Sequence, residues 1–88
     1  MKTKDAPKPG KPSFLELCLH YGVGPDVLEI IADMANVPES VVDTMFTLAP
    51  VERSDATKIL IAFSSIVRQT WNLTNTFVPL IESETGGQ

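Results

Sequence analysis

The stretch IADMANVPESVVDTMF, residues 31–46, predicts two short helices joined by a tight turn. Apolar residues recur at helical spacing on both sides of Asn36-Val37-Pro38. Asparagine is the best substitute for glycine in the left-handed backbone region, and proline is compatible with the beginning of a helix. We therefore expect one helix to end at this turn and the next to begin at Pro38, with a sharp corner between them.

The segments on either side of this stretch also carry helix signals. Ser13-Phe14-Leu15-Glu16 has the form of a capping box, so a first helix is expected to begin here and to end at Gly22. Gly24-Pro25-Asp26 predicts the start of a second helix, because proline suits the first helical position and aspartate favours the positive end of the helix dipole. Pro38 is then expected to open the third helix and Pro50 to close it.

A fourth helix and an extended tail complete the predicted domain. Ser54 or Asp55 is expected to cap the helix, which runs to about residue 69. Pro79 excludes a continuous helix through residues 77–81, so the chain from Thr70 onward is expected to be extended. No segment shows the sustained two-residue alternation that indicates strands. We therefore predict one all-α domain of four or five helices over residues 13–81.

The predicted core consists of the apolar residues that share one side of each helix. They are Phe14, Leu15, Cys18 and Leu19 in the first helix, Val27, Leu28, Ile31, Ala32 and Ala35 in the second, Val41 or Val42, Met45 and Leu48 in the third, and Ala56, Ile59, Leu60, Ala62, Phe63, Ile66 and Val67 in the fourth. From the tail, we expect Trp71, Leu73 and Val78 to pack over this core.

The composition is that of a small soluble globular domain. The chain has 88 residues, of which 43% are apolar and 20% charged. No run approaches the roughly 18 apolar residues of a membrane span, and the start MKTKDAPKPG lacks the apolar run of a secretory signal. Cys18 is the only cysteine, which excludes an internal disulfide and fits a reducing compartment. A cytoplasmic location is therefore expected.

The residues that carry most catalytic and metal chemistry are scarce. Cys18 and His20 are two residues apart and so point to different sides of a helix, and no second cysteine or histidine exists to complete a zinc site. With one histidine and one cysteine there is no evident set of nucleophile, base and orienting acid. No glycine-rich phosphate loop is present. We expect neither an enzyme nor a protein with a metal or cofactor.

The charge is distributed unevenly along the chain. Four of the seven basic residues lie in the first eleven positions, whereas from Ser13 onward three basic residues stand against ten acidic ones. Residues 1–12 also contain three prolines and are expected to form a disordered basic arm; residues 82–88 are expected to form a disordered tail. On average the folded part should repel a polyanion, so any contact with nucleic acid must be local. The four arm lysines are Lys2, Lys4, Lys8 and Lys11.

The spacing within residues 31–46 meets the requirements of a helix-turn-helix. Such a unit needs a small residue in its first helix, a residue that tolerates positive φ in the turn, and apolar residues that lock the two helices together. Ala32 and Asn36 meet the first two requirements. The locking residues would be Val37, Val42 and Met45.

Residues 31–46 resemble the helix-turn-helix of the Xre-type, lambda-repressor-like regulators, which commonly read LAEKAGVSRSTISRIE. The match extends downstream, since PVERSDATKILIAF at residues 50–63 and TWNLTNTFVPLI at residues 70–81 resemble the segments that follow in one bacterial branch of that family. The resemblance implies a small bacterial or phage-type transcriptional regulator that binds double-stranded DNA. The positions that match in register are Ile31, Ala32, Ala35, Val37, Ser40, Val42 and Met45.

Family members place the third helix in the major groove. The resemblance therefore implies DNA-facing roles for Glu39, Ser40, Asp43 and Thr44, although the family usually has Arg, Gln or Lys among these positions. Carboxylates accept hydrogen bonds from cytosine but are repelled by nearby phosphates. Phosphate contacts are expected instead from two basic residues that match the family, Arg53 and Lys58, and from arm lysines such as Lys8 and Lys11. The alternative for the arm is a solubilising leader.

A helix-turn-helix scaffold that no longer binds DNA is the alternative function. The third helix carries more apolar surface than a small domain easily buries, and Phe46 stands where the family usually has a polar glutamate. If it is exposed, Phe46 together with Leu48 would mark the interface of a homodimer or a protein-interaction module. If instead Phe46 folds back under the loop at Pro50, this surface disappears.

Overall fold

The structure, a computed structural model, describes residues 11–81, which form four α-helices and a final segment of extended chain. The helices are α1 Phe14–Tyr21, α2 Pro25–Ala35, α3 Glu39–Phe46 and α4 Arg53–Val67. Within this part of the chain there is no β-strand, and two isolated bridges join Ser13 to Phe77 and Val51 to Leu80. The all-α prediction is therefore confirmed for the described residues. None of their helices is long and apolar enough to cross a membrane.

The capping box predicted at the start of α1 is present. The Glu16 amide donates to the Ser13 hydroxyl oxygen at 3.1 Å, and the Ser13 amide donates to a Glu16 carboxylate oxygen at 2.8 Å. Two amides that no helical carbonyl satisfies thereby gain partners, which fixes the first turn. The predicted start of α2 is also confirmed, with Gly24 as its cap and Pro25 as its first residue.

Each of the four helices is followed by one residue in the left-handed region, which is the C-cap of α1, α2 and α4 but the second residue after α3. The residues are Gly22, Asn36, Leu48 and Arg68, with φ of 70°, 60°, 67° and 61°. After each, the next amide donates to a carbonyl five residues back, as in the bond from the Val37 amide to the Ala32 carbonyl at 3.1 Å. Gly22 and Asn36 confirm the sequence prediction. Leu48 and Arg68 carry no sequence signal, since neither residue type favours this conformation.

Arg68→Gly is expected to raise the free energy of unfolding by about 0.5–1 kcal/mol, because glycine removes the left-handed strain of about 1–2 kcal/mol and loses part of that gain as unfolded-state entropy. The Arg68 side chain is exposed, so little packing is lost. Urea denaturation measures the change. Arg68→Ala is the matched control, since it removes the charge and keeps the strain. Equal stabilities of the two variants would contradict the explanation by backbone strain.

The core lies between the four helices: α2 packs against α3 and α4, and α1 packs against α3. Phe63 of α4 is fully buried and meets the edges of two aromatic rings of α1, Phe14 at 5.4 Å and Tyr21 at 5.8 Å between ring centres. The predicted core is largely confirmed, because most of its members are buried. The buried apolar residues are Phe14, Leu17, Cys18, Leu28, Ile31, Ala32, Ala35, Val42, Met45, Val51, Ala56, Ile59, Leu60, Ala62 and Phe63.

The predicted core was wrong on one side of α1. Leu19 is 71% exposed and Leu15 is only partly buried, whereas Leu17, which was not predicted, is buried. The inward side of α1 is formed by Phe14, Leu17 and Cys18, because Phe14 contacts Phe63 of α4 on that side. Two apolar stripes of similar strength run along α1, and only this tertiary contact distinguishes them. In the other helices, Val27, Val41, Leu48, Ile66 and Val67 are partly rather than fully buried.

The predicted helix limits needed smaller corrections. Helix α3 ends at Phe46, four residues before Pro50, because the left-handed turn at Leu48 has already ended it. Helix α4 begins at Arg53 with Glu52 as its cap, so neither Ser54 nor Asp55 has that role, and it ends at Val67 rather than near residue 69. Pro38 lies one residue before α3, at its cap position.

The final segment is mostly extended, with a turn at residues 73–75, and packs on the helices as predicted. The Trp71 amide donates to the Ser64 hydroxyl oxygen at 2.7 Å, and that hydroxyl donates to the Trp71 carbonyl at 3.0 Å. Further along, the Phe77 amide donates to the Pro12 carbonyl at 2.9 Å, so Pro12 belongs with the ordered domain rather than with the predicted arm. Trp71, Leu73 and Val78 are partly buried against the core.

Candidate functional site

The turn between α2 and α3 forms a defined corner. Only Asn36, Val37 and Pro38 separate the two helices. Asn36 has φ 60° and ψ 45°, and its amide donates to the Asp33 carbonyl at 3.2 Å, while Val37 packs against the core. The corner therefore satisfies the last carbonyls of α2 and anchors the turn by an apolar contact. Helix α3 cannot continue the direction of α2, because the left-handed residue breaks the helical path.

Three of the four residues expected to face DNA lie on the outer side of α3. Val42 and Met45 are fully buried, so the opposite side of this short helix faces solvent. Glu39, Ser40 and Asp43 are exposed there. The outer side of α3 is therefore an exposed polar surface, and the opposite side of the helix is fixed in the core by Val42 and Met45.

Thr44, the fourth of these residues, is partly buried, and its hydroxyl donates to the Ser40 carbonyl at 2.8 Å. Its hydroxyl proton is therefore engaged within α3, although its oxygen can still accept a hydrogen bond. The exposed polar groups of the outer side thus belong mainly to Glu39, Ser40 and Asp43.

The outer side of α3 is acidic. Glu39 and Asp43 are four residues apart and so lie next to each other on the helix surface, and α3 contains no basic residue. Glu39 in the first turn is favoured by the helix dipole. Any phosphate that approaches this side meets two carboxylates, so it must be held by groups outside α3.

Arg53 is exposed at the first position of α4. No side chain caps the N-terminus of this helix. Its first backbone amides therefore remain available to donate hydrogen bonds to an anion. Lys11 is also exposed. Lys8, and with it Lys2 and Lys4, lies outside the described residues, as do most of the predicted arm and the predicted tail at 82–88.

Lys58 is exposed but lies elsewhere on α4. Five residues separate it from Arg53, which corresponds to about 140° around the helix. Lys58 lines a shallow open groove of about 270 Å³ between α2 and α4, together with Met34, Ile61 and Ser65. Arg53 and Lys58, the two basic residues that match the family, therefore lie on different surfaces of the domain.

The structure shows how far Phe46 is exposed. Its side chain is partly buried and packs against the core, so it is not one of the strongly exposed apolar side chains. Leu48 is also partly buried, because the left-handed turn places it beside the end of α3. Neither residue belongs to the large apolar side chains that are strongly exposed.

An exposed apolar surface on the neighbouring helices α2 and α4 was not predicted from the sequence. Ile30 and Met34 of α2 are each 50% exposed, and Ile61 of α4 is 64% exposed. Met34 and Ile61 line the groove described above, with Ala35 and Ala62 at its floor. The available signal was a second apolar strip on α2, in which Val27, Ile30 and Met34 recur at helical spacing beside the core-facing residues.

No group of three histidine, cysteine, aspartate or glutamate side chains is placed to hold a metal ion within residues 11–81. Cys18 is fully buried, and desolvation raises the pKa of its thiol from 9.0 to about 12. The thiol therefore stays protonated at neutral pH, in contrast to the exposed thiolates that act as nucleophiles.

Comparison of the chain with protein-family models, with curated proteins and with solved structures finds no match.

Proposed function

We propose that α2, the corner at Asn36 and α3 form a helix-turn-helix that binds double-stranded DNA, in a small transcriptional regulator of the Xre-type, lambda-repressor-like class. The observation that carries the proposal is the left-handed corner at Asn36, which turns the chain within three residues and leaves the outer side of α3 exposed. The sequence resemblance over residues 31–81 supports the assignment to the family.

The side chains of α3 suit a limited kind of base reading. Glu39 and Asp43 can accept hydrogen bonds from the cytosine amino group in the major groove, and the Ser40 hydroxyl can both donate and accept. None of them can make the bidentate contact with guanine that arginine makes. The preferred site should therefore place cytosines opposite the two carboxylates.

Phosphate contacts would come from the residues around α3. Arg53 combines a fixed positive charge with the free amides at the beginning of α4, a combination that suits a phosphate oxygen. Lys11 and the lysines before it add positive charge at the start of the chain. Because the folded part is acidic, binding should be weak at physiological salt and should depend strongly on these few cations.

Arg53→Ala is expected to weaken DNA binding about tenfold for every sequence and to reduce the salt slope by about one unit, since one phosphate contact is lost. Fluorescence anisotropy of labelled duplexes over a series of salt concentrations measures both quantities. Arg68→Ala is the matched control, because it removes an exposed arginine from the opposite end of α4. Negligible binding at low salt, or an equal loss in both variants, would contradict the proposal.

The contribution of the arm is tested by the same assay. A chain that begins at Lys11 lacks Lys2, Lys4 and Lys8 but keeps the Pro12 carbonyl that accepts from Phe77. If the arm lysines dominate the affinity, the salt slope of this truncated chain falls by about three units. If they form only a solubilising leader, affinity and slope stay unchanged.

One observation favours a second function, the use of the same scaffold for protein association. The outer side of α3 presents Glu39 and Asp43 without a basic residue, and such a surface fits a cationic protein better than a nucleic acid. This alternative requires that DNA binding be negligible at low salt in the full chain. The salt series on the full chain therefore separates the two functions.

A further inference from the structure

We infer that two copies of this chain associate through the α2–α4 face, in a two-fold dimer that places α2 of each copy against α4 of its partner. The α2–α4 face comprises residues of these two helices in and beside the groove, all of them exposed except the partly buried Val27: Val27, Ile30, Met34, Lys58, Ile61 and Ser65. The inference goes beyond DNA binding and does not rest on it. It assigns an interface to a surface different from Phe46 and Leu48.

The centre of the α2–α4 face is apolar. Ile30, Met34 and Ile61 are half exposed or more, and two of them line the groove. Leu19, the most exposed large apolar side chain, is on α1 and does not line it. Scattered apolar side chains are common on protein surfaces, but a cluster around a groove indicates an interaction site.

An acidic strip runs beside the apolar strip of α2. Asp26, Glu29 and Asp33 directly precede Val27, Ile30 and Met34 in the chain, so the acidic strip is displaced by about 100° around the helix. All three acidic residues are exposed. Helix α2 contains no basic residue, and its outer charge is therefore entirely negative.

Helix α4 carries the opposite charge. Every basic residue between positions 13 and 81 lies on this helix or at its C-terminal end, namely Arg53, Lys58 and Arg68. All three are exposed, as is Glu52 at the N-cap of α4, whereas Asp55 within the helix is partly buried. Of the three basic residues only Lys58 lines the groove, so the α4 wall of the groove carries a positive charge while the outer charge of α2 is negative.

Symmetry and charge together identify the occupant. In a two-fold dimer each contact occurs twice, with residue i of one copy against residue j of the other. If the two-fold axis runs along the groove, the acidic strip of α2 lies against α4 of the partner. If the axis runs across the groove, α2 lies against α2 of the partner, and the two acidic strips repel each other. The α2–α4 face, with an acidic strip along its α2 edge and Lys58 on its α4 half, is therefore complementary to a second copy of itself around one apolar centre.

The two kinds of contact have different roles in this dimer. Burial of Ile30, Met34 and Ile61 would supply most of the association free energy, because charge pairs at an exposed rim contribute little. The rim charges would select the orientation and would make association moderately weaker at high salt. The dimer should therefore persist at high salt concentration, but it should dissociate when a charged residue replaces an apolar residue at its centre.

Sedimentation equilibrium of the full chain over a wide range of concentration tests the inference. We expect a reversible dimer, and we expect Ile61→Asp to raise its dissociation constant about 100-fold, since a carboxylate enters the apolar centre twice in each dimer. Ile61 is 64% exposed, so the variant should fold, which circular dichroism checks. Leu19→Asp, the matched control on α1, should dimerise as the wild type does.

A charge exchange tests the orientation. Lys58→Asp should weaken the dimer, and Asp33→Lys in the same chain should restore it, because the exchanged charges again face each other across the axis. A folding defect would not be repaired in this way. A wild type that is monomeric at all concentrations, or a dimer that Ile61→Asp leaves intact, would overturn the interface. Failure of the exchange to restore association would overturn the pairing of α2 with α4.

Discussion

Phe63→Ala is expected to lower the free energy of unfolding by about 3–5 kcal/mol, because a fully buried aromatic ring is removed from a core that closes only partly around the cavity. Phe63 is the side chain on which α1 and α4 meet, through Phe14 and Tyr21. A single core in a domain of this size supplies a stability of only about 3–5 kcal/mol, so much of the variant should be unfolded at room temperature.

Urea denaturation followed by Trp71 fluorescence measures this loss. Trp71 is a suitable reporter because its backbone is held to α4 by Ser64 and its ring is partly buried. Leu19→Ala is the control, since it truncates a large apolar residue of α1 that is 71% exposed. We expect it to change the stability by less than about 0.5 kcal/mol. A comparable loss in both variants would show that the aromatic contacts do not hold α1 on α4.

Reversal of both charges on α3, Glu39→Lys with Asp43→Lys, is expected to raise the affinity for duplex DNA about 100-fold at low salt and to increase the salt slope by about two units. Each substitution removes a repulsion and adds an attraction at the position proposed to lie in the major groove. The gain should be non-specific, because phosphate contacts carry no sequence information. Anisotropy titrations over a series of salt concentrations measure both quantities.

The control for this variant is a matched acidic pair on α2. Glu29→Lys with Asp33→Lys makes the same change in net charge on exposed residues that are also four apart. Both pairs are compared in the Ile61→Asp background, so that loss of the proposed dimer does not enter the comparison. If the α2 pair raises the affinity as much as the α3 pair, then net charge alone explains the gain, and α3 has no special place in the complex.

Local signals predicted the helix ends that depend on a few adjacent residues. The capping box at Ser13, the glycine at position 22 and the asparagine at position 36 were all identified from the sequence. Each of these features depends on backbone preferences and hydrogen bonds within about five residues. Leu48 and Arg68 adopt the same left-handed conformation without any such signal. Their own preference opposes this conformation. The backbone hydrogen bonds that follow them favour it, from the Ala49 amide to the Thr44 carbonyl at 3.1 Å and from the Gln69 amide to the Ser64 carbonyl at 3.3 Å.

The candidate surfaces were predicted less completely than the helices. Glu39, Ser40 and Asp43 of α3 were named from the family resemblance, and the burial of Val42 and Met45 leaves them on the solvent-facing side. Helical spacing alone separates Lys58 from Arg53 by about 140°, and the structure adds that Lys58 lines a groove with Met34 of α2. Periodicity shows that a helix has an apolar side, but it does not show how much of that side a neighbouring helix covers.

The sequence by itself determined that this chain is helical, where its first two helices end and that its folded part is acidic, because these properties reside in single residues and their near neighbours. Only the tertiary structure decided that Leu17 rather than Leu19 turns inward, that Phe46 is partly buried and that Ile30, Met34 and Ile61 stay exposed. Burial is a property of pairs of surfaces, and similar apolar stripes become distinguishable only when one of them meets a partner such as Phe63.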